Sequence, residues 1–400
     1  MNFSVITPSF NGMPILRCCI GSVRAQVSGA ALNDFNEAGG RLNATVSVAV
    51  HHHIQDGGST DGTHQFLEKL CGTPVDRGCR STQQPINSTT EPASPGSTYQ
   101  LTFASEADKG MYDAINKGWA KGVEIVDRGQ LSAGGGACET DRGQCNVRAH
   151  VKNLSTNTNH SLAGGGSSGA AQQPINSSTH QSGARECVLS WLNSDEQYLP
   201  GTLAKVALYF EEHPKVDVVF GNMIIVDRNG RPLAARREIP FRPFYVKRDF
   251  LYTASCTLFF RRTLFERGLL NFDTSYRLAG DMDLILKLAA NGVKFGHIND
   301  YLSLFGTDNN NLSVKHKAQM EEEVQHIRRV YGGSNSPWIC KAAKMVRFAE
   351  RALCGCYRQD NVSFLYANNE RPEHSRITAD RLGFRFTYEL AQKKADANDK

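Results

Sequence analysis

Four hundred residues, 40% hydrophobic and 21% charged, suit a large globular enzyme and exclude a fibrous or largely disordered chain. A formal charge of +5 is too small to argue for a nucleic-acid binder, though it is compatible with phosphorylated ligands or an anionic membrane surface. The 11 cysteines include no C-x-x-C pair, so free thiols in a reducing compartment are expected rather than zinc sites or disulfides. Met1–Phe10 has no basic, then apolar, leader pattern, and no window is apolar over the roughly 18 residues a membrane span needs. The expectation is a cytoplasmic protein, with peripheral contact at the inner face of a membrane left open.

Phe3–Thr7 and Val46–Ile54 read as strands, each followed by a helical pattern, Pro14–Gln26 and Thr60–Leu70. The stretches 27–45 and 72–98 are small and polar, and 128–186 is rich in Gly, Ser, Asn and Gln without a hydrophobic period. Such composition buries too little apolar surface to offset chain entropy, so all three are expected to be disordered insertions. Gln83–Ser88 recurs as Gln172–Ser177, a repeat too short to imply a solenoid. Between the insertions, Tyr99–Ala104 predicts a strand and Met111–Gly122 a helix. Val188–Leu192 predicts the next strand, and Gly201–His213 a helix with Pro200 at its start. Val216–Val226 follows as a strand, and Asp227–Gly230 as a hairpin turn. From Ala318 to Arg358 the period is helical. It reads either as a helix pair packed on the preceding domain or as a basic face attracting anionic lipid. Strands alternating with helices imply a mostly parallel sheet covered on both faces, with ligands beyond the carboxyl ends of the strands.

The polar motifs fall at those ends. Asp56–Thr63 leaves a strand and opens a helix, where glycines allow close approach of a ligand and the helix N-terminus favours negative charge. Ser59 and Asp61 serve equally well there as helix caps. Ser105–Gly118 makes the same transition and carries Asp108, Asp113, Asn116 and Lys117. Trp191–Glu196 leads an apolar strand into a cluster of oxygen ligands that suits magnesium or manganese, which take one or two carboxylates plus substrate phosphates. Asp281 and Asp283 precede an apolar helical run. One of them could take a proton from a hydroxyl, and both are also ordinary first-turn acids. His51–His53 alternates across a strand and is expected in the core or at an edge rather than on a metal. No P-loop, G-x-G-x-x-G, H-E-x-x-H or G-x-S-x-G pattern is present.

Taken in order, Pro8–Asn11, Gln55–Thr63, Ser105–Gly118, Trp191–Gly201, Val218–Asn222, Phe259–Arg262 and Gly280–Leu288 resemble the family-two inverting glycosyltransferases. The resemblance runs in pieces from Met1 to about Ser313. It implies an α/β fold of the GT-A type, a Rossmann-like, mostly parallel sheet flanked by helices. A domain over 1–313 would then be followed by a helical extension over 314–389 and a polar tail over 390–400. It also implies a nucleotide-diphospho-sugar donor and a glycan or lipid-linked saccharide acceptor, as in cell-surface polysaccharide synthesis, with Mg2+ or Mn2+ as cofactor. On this resemblance Pro8, Ser9, Asp56 and Asp108 hold the nucleoside, Asn193 to Asp195 occupies the D-x-D position with Asp195 as metal ligand, and Asp281 is the catalytic base, with Asp283 as its alternative. Two positions depart from the pattern. Asn193 replaces an acid, and the loop Gly306–Ser313 lacks a histidine often found there. A degenerate domain that binds a nucleotide sugar or glycan without transfer is the alternative. A nucleotidyltransferase is disfavoured, because no basic residue precedes Arg17.

Overall fold

The computed structural model describes residues 1–27, 46–71, 97–128, 186–307, 316–367 and 375–386. The expected insertions, apart from their edges, lie outside the described residues, as do the repeated hexapeptide, residues 308–313 and the tail. In chain order the elements are β1 (Asn2–Ser9), α1 (Leu16–Arg24), β2 (Ala49–Asp56), α2 (Thr63–Cys71), β3 (Thr98–Ser105), α3 (Met111–Asp127), β4 (Cys187–Trp191), β5 (Gln197–Tyr198) and α4 (Thr202–Glu212). There follow β6 (Val218–Val226), β7 (Pro232–Arg236), α5 (Pro243–Val246), β8 (Phe259–Arg261), α6 (Arg262–Glu266), α7 (Gly280–Ala290) and β9 (Phe295–Gly306). The chain continues with α8 (Lys317–Val330), α9 (Pro337–Leu353), β10 (Asp360–Tyr366) and β11 (Ser375–Leu382).

Nine strands form one sheet in the order β3-β2-β1-β4-β8-β6-β9-β5, with β7 on β6. β1, β2, β3, β4, β6 and β9 run the same way, and the short β5, β7 and β8 run against them. The expected mostly parallel α/β sheet is therefore present. Side chains alternate across a strand, and here they enter two cores. Ile6, Leu189, Trp191 and Phe220 join one on the α3 and α7 side, while Phe3, Val5, Val188 and Val219 join the other on the α4 side. Burial on both faces explains why these strands read as continuous apolar runs. Helix α3 lies close on β1, because Gly118 and Gly122 face Ile6 and Ser4, where a Cβ would overlap them.

The Asp227–Gly230 turn joins β6 to β7 as expected, with Asp227 Oδ1 accepting from the Asn229 and Arg231 amides. Residues 317–330 and 337–353 form the expected helix pair. The helical reading of 314–389 did not include β10 and β11, which form an antiparallel hairpin. Its Val362, Phe364 and Leu382 pack with Ile224, Val226 and Leu304 of the main sheet. The three histidines of β2 are core residues, fully buried and hydrogen-bonded to Thr7, Thr102 and Tyr99. Burial depresses their basicity, to about 3 for His52 and about 4 for His53, so they are neutral spacers within the sheet. No helix among the described residues is long and apolar enough to cross a membrane.

Candidate active site

The chain passes from β1 outward to β2 and β3 on one side, and β4 lies on the other, so the strand order reverses beside β1. Such a reversal opens a crevice at the carboxyl ends of the strands. Pro8 and Ser9 end β1, and the pairing registers align Ser9 with Asp56 and Asp56 with Ser105. Asp56 is fully buried and accepts from the hydroxyls of Ser59 and Ser105, the latter at 2.6 Å, and from the Ser59 amide at 3.2 Å. The loop beyond it is stitched to the loop after β1. Asn11 Oδ1 accepts from the Thr60 amide at 2.9 Å, and Asp61 accepts from the amides of Met13 and Thr63. Asp61 is thus a cap and a strut, while Asp56 is a fully buried acceptor at the end of β2.

Asp108 follows β3 and accepts from the Gly110 amide at 2.8 Å. A Cβ on Gly57 would come within 2.7 Å of its other oxygen and 3.4 Å of the Phe10 ring, so Asp108, Gly57 and Phe10 converge. Phe10 is 67% exposed, an unusual state for a phenyl ring. On the opposite side, Gly12 lies between Ser9 and Ser194, which brings the loop after β4 against the end of β1. The Ser9 hydroxyl is buried there without a hydrogen-bond partner.

Asn193, Asp195 and Glu196 behave differently from one another. Glu196 turns into the protein, where it accepts from the Asn193 amide at 2.8 Å and the Ser255 hydroxyl at 3.0 Å. Burial, reinforced by the charge of Asp195, raises its carboxyl well above the usual carboxylate range, and its two oxygens stitch the loop to Ser255. Asp195 is exposed beside Gly306 at the end of β9. The Asn193 Oδ1 is buried and has no hydrogen-bond partner.

Asp281 and Asp283 occupy the first turn of α7, and two residues of helix turn them to different faces. Asp283 is buried against α8, accepting from the Tyr331 hydroxyl at 2.9 Å. Asp281 is half-buried, and loss of solvation raises its carboxyl to about 6, against a hydrogen bond from the Met282 amide and with a smaller upward push from Glu323. Three groups absent from the sequence reading as site residues fix this turn. The Tyr112 hydroxyl accepts from the Asp281 amide at 3.4 Å, tying α7 to the start of α3 just beyond Asp108. The Asn116 amide both donates to and accepts from the Phe272 backbone, at 2.9 and 2.8 Å. The Glu323 carboxylate of α8 accepts from the consecutive amides of Arg277, Leu278 and Ala279. Asn116 stood within a motif noted in the sequence. Nothing local marked Glu323, which meets α7 only through the fold. Beneath them Trp119, Trp191, Phe260 and Phe272 stack into one aromatic cluster that joins α3, β4 and the segment before α7.

A separate cavity of about 510 Å³ lies between the β10–β11 hairpin and the middle of β9, away from these strand ends. Four charges on its wall pair with each other, Lys205 with Asp300 and Arg237 with Asp360, and Arg376 donates to the Ser363 hydroxyl.

No protein-family model and no curated protein sequence matches the chain. Among solved structures it is similar to residues 1–349 of Staphylococcus aureus TarS in complex with UDP-GlcNAc. That alignment has 15% identity and a TM-score of 0.43, and covers 83% of this chain and 66% of that one, just under two thirds. The same TarS fragment in complex with UDP gives 15% identity, a TM-score of 0.43 and coverages of 88% and 72%. The mannosyltransferase PcManGT from Pyrobaculum calidifontis, in complex with GDP-Man and Mn2+, gives 15%, 0.41, 88% and 75%. These are likenesses in the layout of strands and helices, at identities too low to transfer an activity.

Proposed function

We propose that the protein is an inverting glycosyltransferase that moves a sugar from a nucleotide-diphospho-sugar to a hydroxyl of a glycan or lipid-linked acceptor. The observation that carries this reading is the single edge on which Ser9, Asp56, Asp108 and Asn193–Asp195 leave four adjacent parallel strands, with Asp281 held beside it through Tyr112. In this reading Asp56 and Asp108 accept hydrogen bonds from the nucleoside, and the Phe10 ring offers its face to the base. Asp281 takes the proton of the acceptor hydroxyl as that oxygen bonds to the anomeric carbon. The bond from that carbon to the diphosphate oxygen breaks, and nucleoside diphosphate leaves. A carboxyl lifted to about 6 is a better base at neutral pH than an ordinary aspartate, yet remains ionised there. Asp283, already engaged by Tyr331, fits an anchoring role better than the base.

The residues present fit a hard divalent cation. No cluster of three or more His, Cys, Asp or Glu suited to a metal occurs among the described residues. Magnesium and manganese, however, need only one or two protein oxygens beside substrate phosphates. Asp195 and the partnerless Oδ1 of Asn193 supply that number. When bound, the ion would neutralise charge accumulating on the diphosphate.

The test is a panel of UDP- and GDP-sugars with Mn2+ or Mg2+, reading released nucleoside diphosphate. Asp281→Asn should lower turnover about 10²–10⁴-fold with donor affinity retained, and Asp195→Ala should remove metal-dependent donor binding. Full activity in both variants would overturn the assignment. Asn193 in place of an acid favours the second reading, a domain that binds without transfer, which predicts nucleotide binding with no donor turnover for any acceptor.

A further inference from the structure

Helix α9 turns two arginines inward and several large apolar side chains outward. Its most buried side chains include Arg347 and Arg351, 2% and 1% exposed, which pair with Asp249 and Glu238. Trp338, Met345 and Leu353 are 80%, 59% and 89% exposed. Helical spacing places Trp338, Ala342, Met345 and Ala349 in one row, with Val346 and Leu353 beside it. Helix α5 packs beside α9 and adds Phe244, 48% exposed beneath the Arg248 guanidinium. A contiguous apolar face of this kind on a folded chain marks a contact site.

We infer that this face of α9 seats the protein on an anionic lipid bilayer. Charge favours lipid over a second copy of the chain. Lys341 and Lys344 are exposed along one flank of the apolar row. The only carboxylate of α9, Glu350, is already held by Arg242 and Tyr245. A two-fold contact brings the same patch together from both copies, which would set these lysines against each other with no acid on the helix to relieve them. An anionic interface places the apolar row at the acyl boundary and the lysines at the headgroups, with Trp338 at the depth aromatic rings favour. The inference is independent of sugar transfer and applies equally if the domain only binds its ligand.

Tryptophan emission isolates the event. Of the three tryptophans, Trp119 and Trp191 are fully buried, so Trp338 alone can report on it. The full chain titrated with phosphatidylcholine–phosphatidylglycerol vesicles should show a blue shift and co-sediment. Vesicles of phosphatidylcholine alone should do neither, and added salt should weaken the binding. Lys341→Gln with Lys344→Gln should weaken it about tenfold or more, and Met345→Ser with Leu353→Ser should abolish it while circular dichroism stays unchanged. Binding to neither vesicle type, equal binding to both, or a concentration-dependent dimer that the Met345→Ser, Leu353→Ser variant dissociates would each overturn the proposal.

Discussion

Two aspartates separated by one residue, Asp281 and Asp283, acquire different characters from what surrounds them. Asp283 receives a phenol and becomes an anchor for α8, whereas Asp281 accepts from the Met282 amide and loses solvent. If Asp281 is the base, its ionised form carries activity, and kcat/KM should rise with pH through about 6 before levelling. The sign follows from the shift. A carboxyl raised by burial remains protonated, and so inactive as a base, to a higher pH than a free aspartate. Glu323 adds negative charge near that carboxyl and holds three amides of the preceding turn. Glu323→Gln should therefore move the limb to lower pH and reduce kcat more than it changes donor KM. A pH–rate profile in which the limb stays in place would show that Glu323 acts only on stability. At this scale the sequence located Asp56 at a strand end and Asp108 and Asp195 in the loops just beyond one, because the apolar run of each strand is visible. The residues alone do not tell Glu196 from Asp195; the family resemblance singled out Asp195, and the fold shows Glu196 turned inward.

Helix α9 is held by ion pairs more than by apolar packing. Arg347 donates from Nε to Asp249 at 2.6 Å and stacks on Phe250 at 4.3 Å, and Arg351 reaches Glu238, which also pairs with Arg236. Removing one member of a buried pair strands the other charge, at about 3–5 kcal/mol. Arg347→Met should cost that much in urea-induced unfolding, and Arg347→Met with Asp249→Asn should recover most of it. Additive losses would instead show that the pair is not coupled. The helical period of this segment was legible in sequence, and so was its basic character. Which face turns inward was not, because an arginine is placed in the core only when acids from other elements, here Asp249 and Glu238, await it. The β10–β11 hairpin was missed for a related reason. Asn361–Tyr366 alternates over too few residues to be distinguished from a loop until the main sheet supplies a surface for Val362 and Phe364.

The whole molecule does not divide where the motifs end. Residues before the last insertion and all elements from β4 to β11 belong to one compact unit. Ile327, Cys356 and Phe384 complete the core that contains Ile6 and Trp191, and the hairpin covers Ile224, Val226 and Leu304. A chain cut after Ser313, where the family resemblance stops, should therefore expose both cores and lose Glu323 from the Asp281 turn. It is expected to be insoluble or to unfold without cooperativity, as read by thermal melting. A cooperative, soluble 1–313 fragment would show the C-terminal elements to be an appendage. The sequence by itself determined the alternation of strands and helices, the location of the polar motifs at strand ends and the order in which they occur, because periodicity, turn residues and apolar runs are local. Only the tertiary structure decided that Glu196 is buried, that Asp283 is engaged by Tyr331, and that Tyr112 and Glu323 hold the backbone around Asp281. Those outcomes depend on solvent exclusion and on partners far apart in sequence, and neither exists before the sheet and the C-terminal helices have packed together.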